Sequence, residues 1–238
     1  LPYICGELIN NDKTPQWATM LNTLQTVQTQ AIQLWMKPTS QATGYAAPTG
    51  IIGAYVEPYA SWIDFTQIIN KENYRAGHDP GSIIYSCGVL KDDRDTIPPP
   101  SDHEFPAQQK ARAKSTILDL LNNNASHVFT LASNNNTLDW NTLMAPDTLI
   151  GQERFDAQYW RANVDPTERY VLSAAGSDEA RIDADGTGYD NLIVAGTWTN
   201  NGFNLGSIEA GVMSGMKASR AISGYPTYIV GEGDSFGD

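Results

Sequence analysis

Apolar positions along this chain recur at two spacings, and the changes between them divide it into elements. After Thr14-Pro15, a cap and first-turn pair, Trp17, Leu21, Leu24 and Val27 fall three or four apart and predict a helix. From Val27 the spacing changes: Val27, Thr29 and Ala31 alternate with Gln28 and Gln30, so the helix gives way to a strand through "TQAIQLWM", ended by Lys37-Pro38. "QATGYAAPTG" reads as a loop. Residues 51–65 begin as a strand broken by Pro58, and "ASWIDFTQIIN" predicts a short helix. "GSIIYSCGVL" (81–90) predicts a buried strand, and "KDDRDTIPPPSDHEFP" a solvated loop. Ala113, Ile117, Leu120 and Leu121 place a helix over 107–124, stopped by Asn. The stretch "NNNTLDWNTLMAPDTLIG" is a loop or short hairpin, and 153–177 holds an aromatic strand, a Pro turn and "RYVLS". No period of about 20 to 50 residues repeats. The expected fold is mixed α+β.

Residues 191–222, "NLIVAGTWTNNGFNLGSIEAGVMSGMKASRAI", stand apart. Leu192, Ile193, Val194 and Ala195 form a continuous apolar run, as in a strand buried on both faces. Gly196 ends it and allows a close backbone approach. "NNGFN" is turn chemistry, and Asn204 is the expected N-cap of a helix over 205–222. Leu205, Ile208, Val212, Gly215, Ser219 and Ile222 mark one face of that helix, while Gly206, Gly211, Gly215 and Ala218 keep it slender. Its unpaired N-terminal N–H groups suit a phosphate or an electron-rich ring edge. The plainer alternative is a strand–turn–helix whose glycines serve packing.

Composition narrows the partners. The 238 residues carry 15 basic and 27 acidic side chains, net −12, which argues against nucleic acid and anionic membranes. No run approaches the roughly 18 apolar residues of a membrane span. Cys5 and Cys87 read as two buried thiols in a reducing, cytoplasmic setting. His78, His103 and His127 are dispersed without metal-binding spacing. "DADGTGYDN" departs from a calcium loop, with Gly186 at the fourth position and Val194 at the twelfth, and reads as a turn. The opening "LPYICGELI" has the look of a chain entered midway: a fragment or a processed subunit.

The 191–222 stretch resembles the C-terminal flavin-binding motif of FAD-dependent amine oxidases and phytoene-desaturase-like enzymes, roughly L-[FY]-x-A-G-D-x-T-x-x-G-x-x-x-x-x-E-x-A-x-x-S-G-x-x-A-A. The matches are Leu192, Ala195, Gly196, Thr199, Gly202, Glu209, Ser214, Gly215 and Ala218. The resemblance is clearest over 153–224. It implies a substrate-domain portion over 1–152 and a C-terminal substrate and FAD-binding portion over 153–238. It further implies that Asn204, Leu205, Gly206 and Ser207 line the flavin while Gly196 and Thr197 lie by its ribityl chain. Two departures stand out. The family's acid after Ala-Gly is Thr197 here, and no G-x-G-x-x-G follows a strand, so the ADP half of FAD has no home in this polypeptide.

The implied activity is removal of hydride from a C–N or C–C bond of a small-molecule substrate, in a hetero-oligomer whose second chain supplies the dinucleotide-binding half. Tyr170 is the candidate catalytic, substrate-facing residue, and Tyr159, Trp160 and Tyr170 are candidate walls of an aromatic pocket. The competing class is a non-catalytic partner subunit or an α+β binding module without a cofactor of its own.

Overall fold

The computed structural model describes residues 6–9, 11, 13–93, 97–99 and 101–232. Cys5 lies outside them. The α-helices are α1 (Gly6–Ile9), α2 (Pro15–Thr23), α3 (Ser40–Thr43), α4 (Phe105–Asn123) and α5 (Ile208–Ser223). The strands are β1 (Thr26–Met36), β2 (Ile51–Gly53), β3 (Ser61–Asp64), β4 (Ser82–Leu90), β5 (Ser133–Asn134), β6 (Thr137–Leu138), β7 (Tyr159–Asn163) and β8 (Tyr170–Val171). The mixed α+β class expected from the spacing is what these elements form. The chain divides into two compact units, one of residues 1–27 with 169–238, the other of residues 28–168.

In the unit of residues 28–168 an antiparallel sheet runs in the order β2-β3-β4-β1-β7. The longest pairing is β1 with β4, in register from Gln28 opposite Leu90 to Met36 opposite Ser82. Side chains alternate across a strand, so Ile32, Leu34 and Met36 share one face and are buried. They join Ile84, Trp62 and the α4 stripe Ile117, Leu120 and Leu121 in one core. Cys87 falls on the other face, opposite Ala31, and is exposed, which corrects the expectation of a buried thiol there. The alternation also separates Tyr159 from Trp160. Trp160 packs on Phe155 at 5.1 Å between centroids and Tyr159 is exposed, so these two do not wall a common pocket.

The short helix expected over 60–70 is instead β3 followed by a 3-10 turn, Thr66–Lys71. Pairing decided it: Trp62, Ile63 and Asp64 align with Ser86, Tyr85 and Ile84 of β4, and this ladder overrides local preference. At the strand's end the carboxylate of Asp64 is buried and fully engaged. Oδ2 accepts from Ser40 Oγ at 2.6 Å and from the Thr49 amide at 2.8 Å; Oδ1 accepts from the Thr66 amide at 2.8 Å and from the Thr66 hydroxyl. Burial alone would raise its pKa, but these hydrogen bonds outweigh it and hold the carboxyl below its ordinary value. Beside it, burial and the Asp64 charge push the Tyr45 phenol up to about 12.

The unit of residues 1–27 and 169–238 gathers around Trp17, Met20 and Ile182, with Leu24, Leu192, Val194 and Trp198 against them. Trp17 Nε1 donates to Thr187 O at 2.9 Å. The first two residues of β1, Thr26 and Val27, pair with β8. Two expectations for 191–222 need correction. Leu192–Ala195 is not a strand: three of its residues are half-buried, Ala195 is exposed, and its backbone bonds go to loops, among them Val194 N–H to Ala184 O at 2.9 Å and Thr187 Oγ1 to Leu192 O at 2.8 Å. An apolar run becomes a strand only beside a ladder partner, and within this unit Leu192 and Val194 pack on the Trp17 cluster instead.

The helix itself forms, but from Ile208, and Ser207 caps it, its Oγ accepting from the Ala210 amide at 3.1 Å. Asn204 lies three residues earlier at φ 51°, outside the helix. The buried face of α5 is Ala210, Met213 and Ser214, while the stripe marked in the sequence faces outward, with Ile208 at 83% and Ile222 at 75%. Gly215 lies on that outward side with open space where a Cβ would go. Gly215→Ala is therefore expected to stabilise the chain by about 0.5–1 kcal/mol through helix propensity alone, read as a raised urea midpoint.

Candidate functional site

The turn Gly196–Thr199 and the buried face of α5 are joined by a closed set of hydrogen bonds. Gly196, at φ 140°, is in a conformation that side chains resist. Its N–H donates to Ser214 Oγ at 2.6 Å, and its carbonyl accepts from the Thr199 amide at 3.1 Å and hydroxyl at 2.8 Å. With the Thr199 proton committed to Gly196 O, the 3.1 Å contact between the two hydroxyls has Ser214 as its donor. Ser214 thus fastens the turn to the buried face of the helix.

Asn201, fully buried, repeats the device. Its Oδ1 accepts from the amides of Phe203 at 3.1 Å and Asn204 at 2.9 Å, and its Nδ2 donates to Thr199 O at 3.1 Å. Asn204 returns one bond, its Oδ1 accepting from the Asn201 amide at 3.0 Å, and short polar side chains tolerate its left-handed backbone. Asn204 O accepts from Ser173 Oγ.

Tyr170 closes the approach to the helix. Its Oη accepts from the Gly206 N–H at 3.2 Å, and its ring lies so near that a Cβ on Gly206 would sit 2.2 Å from Cε2. The residues proposed from sequence, Tyr170, Gly196, Thr197, Asn204, Leu205, Gly206 and Ser207, therefore belong to one unit, and Tyr170 touches Gly206 directly. At the first turn of α5 the amides of Ile208 and Glu209 have no acceptor among the described residues, the usual condition of a helix start.

Sequence reasoning missed Arg181. Its side chain is fully buried, and Nη1 donates to Thr197 O at 2.7 Å. The Asp178 carboxylate, 61% exposed, comes within 3.4 Å of Nε without a hydrogen bond, and both Nε and Nη2 lack partners, as does the buried Ser177 Oγ. Burial lowers the guanidinium's pKa from its ordinary value, and Asp178 partly offsets this. A buried cation held by one good bond recovers little of its desolvation cost. Arg181→Met is accordingly expected to change unfolding stability by no more than about 1 kcal/mol in urea titrations. Nothing in the sequence singles this arginine out. Thr199 and Ser214, by contrast, are positions of the 191–222 pattern.

The arrangement presents a buried cation behind Thr197, a helix start with open amides, and a phenol from β8 laid against the intervening loop. It suits an anionic or electron-rich ligand edge. Among the described residues no cluster of three or more His, Cys, Asp or Glu is placed to hold a metal ion. Asp183 of the loop 183–191 is occupied by Asn200 Nδ2 at 3.0 Å, and Arg220 pairs with Glu232 through bonds of 2.9 and 2.6 Å. Among the described residues no helix is long and apolar enough to cross a membrane.

No protein-family model matches the chain, and no curated protein matches it. Among solved structures it is similar to an oxidoreductase from Methanosarcina mazei, with 14% identity and a TM-score of 0.47 over 90% of this chain and 38% of that one. The chain spans well under half the length of that protein.

Proposed function

We propose that the chain is part of an FAD-dependent oxidoreductase of the amine oxidase and desaturase type, acting in a reducing, cytoplasmic setting on a small-molecule substrate. The observation that carries the reading is the junction of turn and helix: Gly196, Thr199 and Ser214, positions of the flavin-motif resemblance, bond to one another. That gives the pattern a physical reason, since these residue types hold a glycine turn against the buried face of a helix.

The residues present are compatible with the pyrimidine edge of a flavin. The amides at the start of α5 and its positive end favour negative charge, and Arg181 adds a cation behind Thr197. When bound, FAD would supply the hydride acceptor. The chain's own part is to orient and to shield. Leu205 and Ser207 flank Gly206, whose amide holds the Tyr170 phenol oxygen, so Tyr170 covers the helix entry from the substrate side. Thr197 offers a hydroxyl where the family has an acid.

The Gly-rich dinucleotide half is assigned to a second chain or segment. The outward stripe of α5 supports this: Ile208, Val212, Met216 and Ile222 are exposed beside Gly211 and Gly215, and a helix apolar on both faces is built to be covered.

The test is flavin quantification with mass analysis. This chain alone is expected to take up no stoichiometric FAD, and the native complex to absorb in the blue and near ultraviolet. A 26.0 kDa monomer with stoichiometric FAD would overturn the need for a partner. A colourless native complex would overturn the flavin reading.

A further inference from the structure

In the unit of residues 28–168 an open cleft of about 120 Å³ is lined by Trp35, Tyr74, His78, Pro80, Met144 and Ala157. Its walls are locked by buried polar side chains. Gln158 Oε1 accepts from the Trp35 amide at 2.8 Å, and Gln158 Nε2 donates to Met144 O at 2.6 Å. The Met144 amide in turn donates to Trp35 O at 2.8 Å. Arg154, 5% exposed, spreads its guanidinium over the carbonyls of Leu143, Ala145 and Leu149 at 2.9, 3.2 and 3.0 Å. Two of the unit's buried polar residues are thus committed to holding the loop 143–149 beside the edge of β1. Trp35 Nε1 donates to Tyr74 Oη at 3.1 Å, which fixes the indole and leaves the phenol proton available to a guest.

We propose that this cleft is a binding site for a single neutral aromatic ring, of phenyl size, carrying one hydrogen-bond acceptor. The volume fits one ring held partly in the mouth: about 120 Å³ is somewhat less than the roughly 150 Å³ of an enclosed apolar cavity that takes up benzene. The lining fits as well, since indole and phenol rings favour offset or edge contacts with another ring, and a thioether favours the ring edge. Tyr74 and the exposed His78 supply the few polar groups that orient a ring in a largely apolar site. The proposal is independent of the flavin reading, because every residue in it belongs to residues 28–168.

The test follows the Trp35 Nε1–H resonance of the whole chain, assigned through Trp35→Phe, while phenol is added, with cyclohexanol, which carries the same hydroxyl acceptor on a saturated ring, in a parallel titration. Phenol is expected to move this resonance saturably. Cyclohexanol is expected to bind about tenfold more weakly or not at all. Ala157→Trp and Met144→Trp fill the cleft from opposite walls without touching the backbone bonds that lock it, and each is expected to weaken phenol binding about tenfold or more. If one variant fails to fold, the other decides. A Trp35 signal that phenol does not move, equal binding of cyclohexanol, or undiminished phenol binding in the folded variant overturns the proposal.

Discussion

Replacing Asp64 with Ala is expected to cost about 3–5 kcal/mol of unfolding free energy at neutral pH, among the largest effects of any side chain outside the hydrophobic core. Two hydroxyls and two amides, from Ser40, Thr49 and Thr66, donate to this carboxylate. Its loss strands them in a buried place. The pH dependence has a definite sign. The folded-state pKa lies below the unfolded value of about 3.9, so the stabilisation is fully present above about pH 4. It is lost as pH falls through the folded pKa. Urea unfolding of Asp64→Asn at neutral and acid pH should therefore show a shallower acid limb than the parent, and parallel limbs would refute the assignment.

Gly88→Ala is expected to cost about 3 kcal/mol, at or above the top of the usual range for overpacking. A Cβ there would lie 1.8 Å from Pro58 O and 2.8 Å from Pro58 C. The obstacle is backbone, which cannot swing aside as a side chain would, and Gly88 is held in register opposite Gln30 by the central β1–β4 ladder. Thermal and urea unfolding would measure it. A loss below about 1 kcal/mol would mean that the 57–59 segment yields easily.

The elements that read well from sequence are those whose burial pattern and pairing agree. β4 was expected over 81–90 and runs Ser82–Leu90, and α4 was expected over 107–124 and runs Phe105–Asn123. The passage from helix to strand near Val27 was also legible, because Gln28 and Gln30 interrupt a helical stripe but not an alternating one. What failed depended on partners elsewhere in the chain. Trp62 and Ile63 read as helical until β4 is laid beside them. Leu192–Ala195 has the composition of a buried strand and no ladder to join within its unit. On α5 the outward stripe is the more apolar one, so hydrophobicity marks a face there without telling which side is buried; small Ala210 and Ser214 sit inside because the turn at Gly196 packs close upon them. Within the candidate site, the glycines and hydroxyls of the 191–222 pattern were legible. Arg181 was not, since an isolated arginine carries no spacing to betray that it is buried.

The unit carrying the Gly196–Thr199 turn is assembled from both ends of the chain, with residues 28–168 inserted between. This sets a waiting time during synthesis. Trp17 and the Thr187 carbonyl that receives its indole proton are 170 positions apart, so at roughly 5 to 20 residues per second α2 leaves the ribosome some ten to thirty seconds before its partner exists. Through that interval Trp17 and Met20 have no native surface to cover them, while the inserted unit can complete its own sheet. A nascent chain stalled after residue 168 should accordingly present α2 to a chaperone that holds apolar segments, and lose that contact as residues 169–200 emerge.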